Sequence, residues 1–137
     1  MNIKQKVIHK AITSVEHLAE SMNKEGQEGW KLTNISTVIN KKGGAIFTKK
    51  SGYYFDDYLF IFNHSEKLYN YRCIYITRRN TNIKQEEELI NSEVEKLNNE
   101  GFELIHILTP ASISDLPDYP TCGARGYVLI FIKEVIL

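Results

Sequence analysis

The sequence predicts an α+β fold of two tandem β-α-β-β repeats, each with an antiparallel sheet and one helix. Three observations lead to this prediction. The two halves of the chain show the same order of strand and helix patterns. Each half places a glycine and an aromatic residue after its helix, in "EGWKL" and "EGFEL". Each half also ends in a strongly apolar run, "DYLFIFNH" or "GYVLIFIK". One supersecondary unit therefore occurs twice.

The first repeat is predicted to span residues 1–64. Its helix has two candidate N-caps, Thr13 and Ser14. The apolar residues that follow share one helical face, and they are Val15, Leu18, Ala19 and Met22. Runs rich in β-branched and aromatic residues predict the strands. The predicted strands cover residues 3–12, 30–39 and 58–64.

The second repeat is predicted to span residues 68–137, after a boundary at 65–67. Its helix covers residues 82–100, and Leu89 or Ile90 shares an apolar face with Val94 and Leu97. The predicted strands cover residues 68–79, 102–111 and 126–136. Together the two repeats are expected to form one compact unit.

Gly29 and Gly101 occupy equivalent places, where the helix stops and the next strand starts. Glycine suits this position because the backbone can take a positive φ there without strain from a side chain. The aromatic residue that follows, Trp30 or Phe102, can then fold over the last helical turn and fill the core. This core role is favoured over a ligand-binding role.

The segments "EGWKL" (28–32) and "EGFEL" (100–104) resemble the motif of a family of small bacterial and phage domains, the domain of unknown function 4177 family. The resemblance covers both halves and implies a strand, a helix and then a β-hairpin. Lys31 stands where the family pattern favours an acidic residue, and Phe102 replaces tryptophan. Both hairpin connections are also longer than is usual in the family. The resemblance implies a fold and no activity.

The last strand of each repeat is apolar at consecutive positions and therefore on both faces. One helix covers only one face of a sheet, so something must cover the other face. The sequence predicts that the two repeats pack back to back, lie side by side in one sheet, or meet another subunit. We therefore expect a homo-oligomer.

Charge and composition exclude several classes of protein. The 137 residues contain 17 Lys+Arg and 17 Asp+Glu, so a general nucleic-acid or anionic-membrane binder is not expected. The N-terminal residues show no signal-peptide pattern, and the longest apolar run is the length of a strand. The predicted location is the cytoplasm. The two cysteines imply no disulfide framework.

The sequence contains no pattern typical of catalysis. The histidines and cysteines lack metal-ligand spacing, and no nucleophile, P-loop or dinucleotide motif occurs. The acidic run 86–88 begins a helix, where the helix dipole and solvation account for it. We therefore predict a protein that is not an enzyme and that uses no metal and no cofactor.

The candidate binding residues are three arginines and two tyrosines. Arg72 and Arg78 lie on the first strand of the second repeat, and Arg125 lies before its last strand. If these strands are neighbours, Arg72 or Arg78 can approach Arg125 and bind a phosphate or carboxylate. Tyr53 and Tyr54 can stack on a base. The alternatives are arginines paired with acidic residues and tyrosines that anchor their loop.

Two functions are open. The first is a non-catalytic module, of phage or mobile-element origin, that captures a small anionic ligand of nucleotide type, such as a host defence signal. Two long loops favour it, because loops of this length are often functional. The second is a protein-interaction or inhibitor module that uses the apolar sheet face or the tyrosine loop. Weak RNA binding ranks third because the chain carries no net charge.

Overall fold

A computed structural model describes residues 4–12, 14–40, 55–78, 82–109 and 125–136. The strands are β1 (Gln5–Ala11), β2 (Trp30–Asn40), β3 (Phe55–His64), β4 (Leu68–Arg78), β5 (Glu103–Leu108) and β6 (Arg125–Val135). The helices are α1 (Val15–Gly26) and α2 (Ile83–Asn99). The predicted α+β class and the order of elements are confirmed.

Each half of the chain forms its own three-stranded antiparallel sheet. The strand order is β1-β3-β2 in the first sheet and β4-β6-β5 in the second. The side-by-side arrangement in one sheet is therefore wrong. In both sheets the last strand of the repeat is the central strand. A central strand has neighbours on both edges, and its apolar residues can be buried on both faces.

The two halves fold alike in detail. The pairing of β2 with β3 shifts by one residue between Leu32 and Asn34, and the pairing of β5 with β6 shifts between Leu104 and His106. These positions correspond when the two repeats are aligned on their glycines. Gly29 and Gly101 have φ angles of 88° and 89°. The predicted positive φ at both glycines is confirmed.

Local signals explain where the helices begin. Ser14, one of the two candidate N-caps, accepts a hydrogen bond from the backbone N–H of His17. Asn82 and Gln85 form a reciprocal capping box at the start of α2. Helix α2 has 17 residues and α1 has 12. Helix α1 starts 14 residues before Gly29 and α2 starts 18 residues before Gly101, so four of the five additional residues of α2 lie at its N-terminal end.

The two repeats stack front to back, where the front of each sheet is the face that the helix of the same repeat covers. Helix α1 packs on the face of the first sheet that carries Tyr58, Phe60 and Phe62, and α2 packs on the corresponding face of the second sheet. The other face of the second sheet, with Val128 and Ile130, packs against the first repeat. The back-to-back arrangement is therefore wrong. Both faces of the run "YVLIFI" are covered within one chain. Helix α2 covers the front of this strand, and the first repeat covers its back.

The back of the first sheet has no such cover among the described residues. Val7 is 64% exposed there, beside the half-buried Leu59 and Ile61. Around these three residues the face is polar, because Gln5 and Asn63 stand where the second sheet has Tyr71 and Ile132. The expectation of a homo-oligomer stays a prediction.

Tyr71 joins the two repeats through its backbone and its side chain. The backbone N–H of Tyr71 donates to Asn23 Oδ1 at 2.6 Å, and Asn23 Nδ2 donates to the carbonyl oxygen of Tyr71 at 3.1 Å. The Tyr71 hydroxyl accepts from the backbone N–H of Leu32 at 2.7 Å and donates to the carbonyl oxygen of Trp30 at 3.1 Å. Gly26 permits the close approach of α1 to β4, since a Cβ there would lie 2.2 Å from the carbonyl oxygen of Tyr69.

We expect Tyr71→Phe to lower the free energy of unfolding by about 1–3 kcal/mol, because it leaves the buried N–H of Leu32 without its acceptor. Urea denaturation measures this loss. Tyr69→Phe is the matched control: among the described residues its hydroxyl contacts the Ser65 side chain, at 3.1 Å, so its removal is expected to cost less. Equal losses in the two variants would contradict the role assigned to the Tyr71 hydroxyl.

We expect Gly29→Ala to destabilise the protein more than Gly101→Ala. Both substitutions place a side chain at positive φ, which costs about 1–2 kcal/mol. At Gly29 the new Cβ also meets the backbone oxygen of Ser65 at 2.7 Å, whereas at Gly101 the nearest atom is in the flexible side chain of Lys133, at 3.1 Å. Thermal and urea unfolding give both values. A larger loss for Gly101→Ala would be inconsistent with these contacts.

Candidate functional site

Arg72 belongs to the architecture of its repeat. Its guanidinium lies 5.5 Å from the centre of the Phe102 ring and pairs with Glu100 at 3.0 Å. In the first repeat Lys6 occupies the corresponding strand position, where its ammonium lies 4.3 Å from the centre of the Trp30 ring. A cation over the aromatic residue is thus a feature of both repeats. For Arg72, the alternative of pairing with an acidic residue is confirmed.

Arg78 and Arg125 meet in the sheet. Strands β4 and β6 are neighbours, and their register places Arg78 directly opposite Arg125. Arg72 pairs instead with Phe131, six residues further along β6. The structure therefore brings together two of the three predicted arginines and separates the third. The side chains of Arg78 and Arg125 lie outside the part that the structure describes.

The other predicted binding residues are not described. Tyr53 and Tyr54 lie in the connection 41–54, and the second long loop covers residues 110–124. Their proposed roles stay predictions.

A cleft of about 310 Å³ lies between α2 and the start of β6. It is lined by the first turns of α2 and the start of β6, and the lining residues are Ile83, Glu86, Glu87, Ile90, Asn91 and Tyr127. Tyr127 follows Arg125 by two residues and pairs with Ile76, which precedes Arg78 by two. Positions 78 and 125 therefore belong to the sheet face that α2 covers, one step beyond the cleft.

Glu86 is buried in this cleft wall. Glu86 is only 7% exposed, and the Tyr127 hydroxyl donates a short hydrogen bond to Glu86 Oε1. The prediction that the acidic run 86–88 is solvated at the helix start holds for Glu87 and Glu88, which are exposed. It is wrong for Glu86, which is buried. A sequence signal for its burial exists, because Glu86 lies one helical turn before Ile90, on the face shared with Val94 and Leu97.

The cleft combines apolar walls with hydrogen-bond acceptors. Ile83 and Ile90 offer apolar surface, while Glu86, Glu87 and Asn91 offer carboxylate and amide oxygens. This set can hold a flat group that carries N–H donors. In the strand register, positions 78 and 125 lie beyond the Tyr127 end of this cleft.

The described residues offer little for metal or nucleophilic chemistry. Within them, no group of three His, Cys, Asp or Glu side chains is placed to hold a metal ion. Burial raises the pKa of the Cys73 thiol to about 12, which keeps it in the unreactive thiol form at neutral pH. Burial also lowers the pKa of His106, which favours the neutral imidazole.

Neither helix of the described ranges has the length and apolar character needed to cross a bilayer. No known family model matches the chain, and comparisons with curated proteins and with solved structures found no match. The resemblance to the domain of unknown function 4177 family therefore stays a prediction.

We expect Tyr127→Phe to lower the free energy of unfolding by about 1.5–3 kcal/mol, because it removes a hydrogen bond to a buried acidic side chain. Chemical denaturation measures the loss. A neutral effect of Tyr127→Phe would contradict the contact with Glu86.

Proposed function

We propose that the chain is a non-catalytic binding module that captures a small anionic ligand of nucleotide type in the cleft between α2 and β6. One observation carries this proposal: the antiparallel register sets Arg78 directly opposite Arg125, next to a cleft whose walls suit a planar ring. The base of the ligand enters the cleft, and its phosphate lies toward the arginines.

The electrostatics of the arginine pair support an anionic ligand. Residues directly opposite each other in an antiparallel pair have Cα atoms about 4.5–5.5 Å apart. Like charges at such positions destabilise the sheet. An anion between two guanidinium groups removes this repulsion and receives several charge-assisted hydrogen bonds.

The shape and chemistry of the cleft support a nucleobase. Small-molecule sites usually begin at about 300 Å³ and combine apolar walls with a few polar groups, and this cleft of about 310 Å³ meets both criteria. The hydrogen bond from Tyr127 holds Glu86 in place before a ligand arrives. A carboxylate oriented in this way accepts hydrogen bonds from the amino or imino groups of a base.

Such a module would act by sequestration. A protein without catalytic groups lowers the free concentration of a signal only by binding it. A phage or mobile element that faces a nucleotide-type host defence signal would benefit from a small protein of this kind. Its origin, the cytoplasmic location and the absence of a cofactor are parts of the same proposal.

A protein-interaction module is the second candidate. The exposed Val7, with Leu59 and Ile61 beside it, favours this function because it gives the back of the first sheet an apolar strip. The strip is narrow and surrounded by polar residues, whereas protein interfaces centre on larger apolar anchors. The geometry therefore supports ligand binding more strongly.

The test is a thermal-shift screen of the purified chain against mononucleotides, dinucleotides and cyclic dinucleotides, followed by calorimetry on any hit. We expect a nucleotide to raise Tm, since a ligand that binds only the folded state stabilises it. Arg125→Ala and Asn91→Ala are expected to weaken binding by about tenfold or more, which corresponds to the loss of one good contact.

Arg72→Gln is the matched control, because Arg72 lies on the same strand as Arg78 but contacts Phe102 and Glu100. It is expected to lower Tm slightly and to leave the affinity unchanged. Absence of any nucleotide-dependent shift would overturn the proposal and favour the protein-interaction module. Native mass spectrometry of the same sample reports a co-purified ligand and the number of subunits.

A further inference from the structure

A second cavity lies in the first repeat, far along the chain from the cleft at α2. It has a volume of about 190 Å³ and opens between α1 and the front of the first sheet. Ile8, Phe60 and Phe62 form its apolar part. The polar side chains that line it come from Lys10 on β1 and from the last turns of α1, where they are Ser21, Lys24 and Glu25.

The second repeat has apolar residues at two of the positions that correspond to this lining. The pairing of the strands equates Lys10 with Ile76, since Lys10 pairs with Tyr58 and Ile76 with Tyr127. Glu25 corresponds to Leu97, because each residue lies four positions before the positive-φ glycine of its repeat. Leu97 is only 2% exposed. The first repeat thus has charged residues, Lys10 and Glu25, at two positions where the second repeat has apolar ones. The charged lining residues Lys10 and Glu25 are consequently specific to the first repeat.

The charges around this cavity favour an anion. Glu25 is paired with Lys6 at 2.5 Å, so its carboxylate is already neutralised. Lys10 and Lys24 are exposed, and neither has an ion-pair partner within the described ranges. Their long side chains can reach an anionic group at the cavity mouth.

Ser21 adds a polar contact on the same side of the cavity as Lys24, which lies three residues further along α1. Its hydroxyl oxygen is buried and has no hydrogen-bond partner in the part of the chain that the structure describes. A buried hydroxyl without a partner costs stability, and such groups in native structures are rare. A ligand oxygen beside Ser21 would remove this cost.

We propose that this cavity is a second ligand site, separate from the α2 cleft, and that it takes a small carboxylate with an aromatic or short alkyl body. The apolar body packs on Phe60 and Phe62, and the carboxylate lies between Lys10 and Lys24, where one of its oxygens accepts a hydrogen bond from Ser21. The size fits, because a cavity of about 150 Å³ holds a benzene ring. About 190 Å³ therefore accommodates a ring with a short chain.

The test is a two-dimensional NMR titration of the ¹⁵N-labelled chain with 3-phenylpropionate, and with the neutral 3-phenylpropanamide as its matched partner. We expect the carboxylate to shift the amide signals of Ser21, Lys24 and Phe60. The amide compound is expected to bind about tenfold more weakly, since it lacks the charge-assisted contacts. Equal affinities would overturn the assignment of an anionic ligand, and absence of shifts at these amides would overturn the site.

Two sets of variants sharpen the test. Lys24→Gln is expected to weaken 3-phenylpropionate binding by about tenfold. Lys96→Gln, at the equivalent place on α2, is expected to leave it unchanged. The double variant Lys10→Ile/Glu25→Leu copies the second repeat and is expected to abolish binding. If the double variant does not fold, the comparison of Lys24→Gln with Lys96→Gln still tests the proposal. Both substitutions change exposed side chains, so both variants are expected to fold. Equal affinity of these two variants would refute the proposal.

Discussion

The hydrogen bonds of Tyr71 are the constraint on which the stacking of the two repeats depends. Strands β2 and β4 are both edge strands, and their outer backbone groups need partners when other elements cover them. Asn23 satisfies the edge of β4, and the Tyr71 hydroxyl satisfies the edge of β2. These four hydrogen bonds require one orientation of the repeats. Burial raises the pKa of Tyr71 far above its ordinary value, so its hydroxyl keeps its proton and remains a donor.

Duplication of one β-α-β-β unit yields two different surfaces here. In a front-to-back stack, one repeat must present a sheet face that fits the front of its neighbour, and the end of the stack must tolerate water. The second sheet accordingly has an apolar back, and the first sheet has polar residues around a narrow apolar strip. The same divergence also makes the helix-covered faces of the two sheets different. The additional first turn of α2 lines the cleft, and Lys10 and Glu25 line the cavity under α1.

The candidate site illustrates which parts of a binding surface can be predicted from sequence. Arg78 lies opposite Arg125 because β4 and β6 are neighbours with one particular register. The sequence does not specify this strand order, and the pairing became evident only when the structure placed β6 at the centre of its sheet. Arg72 looks equivalent to Arg78 in sequence, yet it contacts Phe102 and Glu100. The burial of Glu86 is missed because an acidic residue at a helix start is usually solvated, although its helical spacing places it on the apolar face.

The sequence by itself determines the elements and their repetition. Local rules suffice for this: Ser14 and Asn82 begin the helices, Gly29 and Gly101 end them at positive φ, and apolar runs mark the central strands. Only the tertiary structure decides that the repeats form separate sheets, that they stack front to back, and that the cleft and the cavity lie under different helices. The physical reason is that local conformation depends on neighbouring residues, whereas stacking depends on residues such as Asn23 and Tyr71, which are distant in the chain and meet only after both repeats have folded.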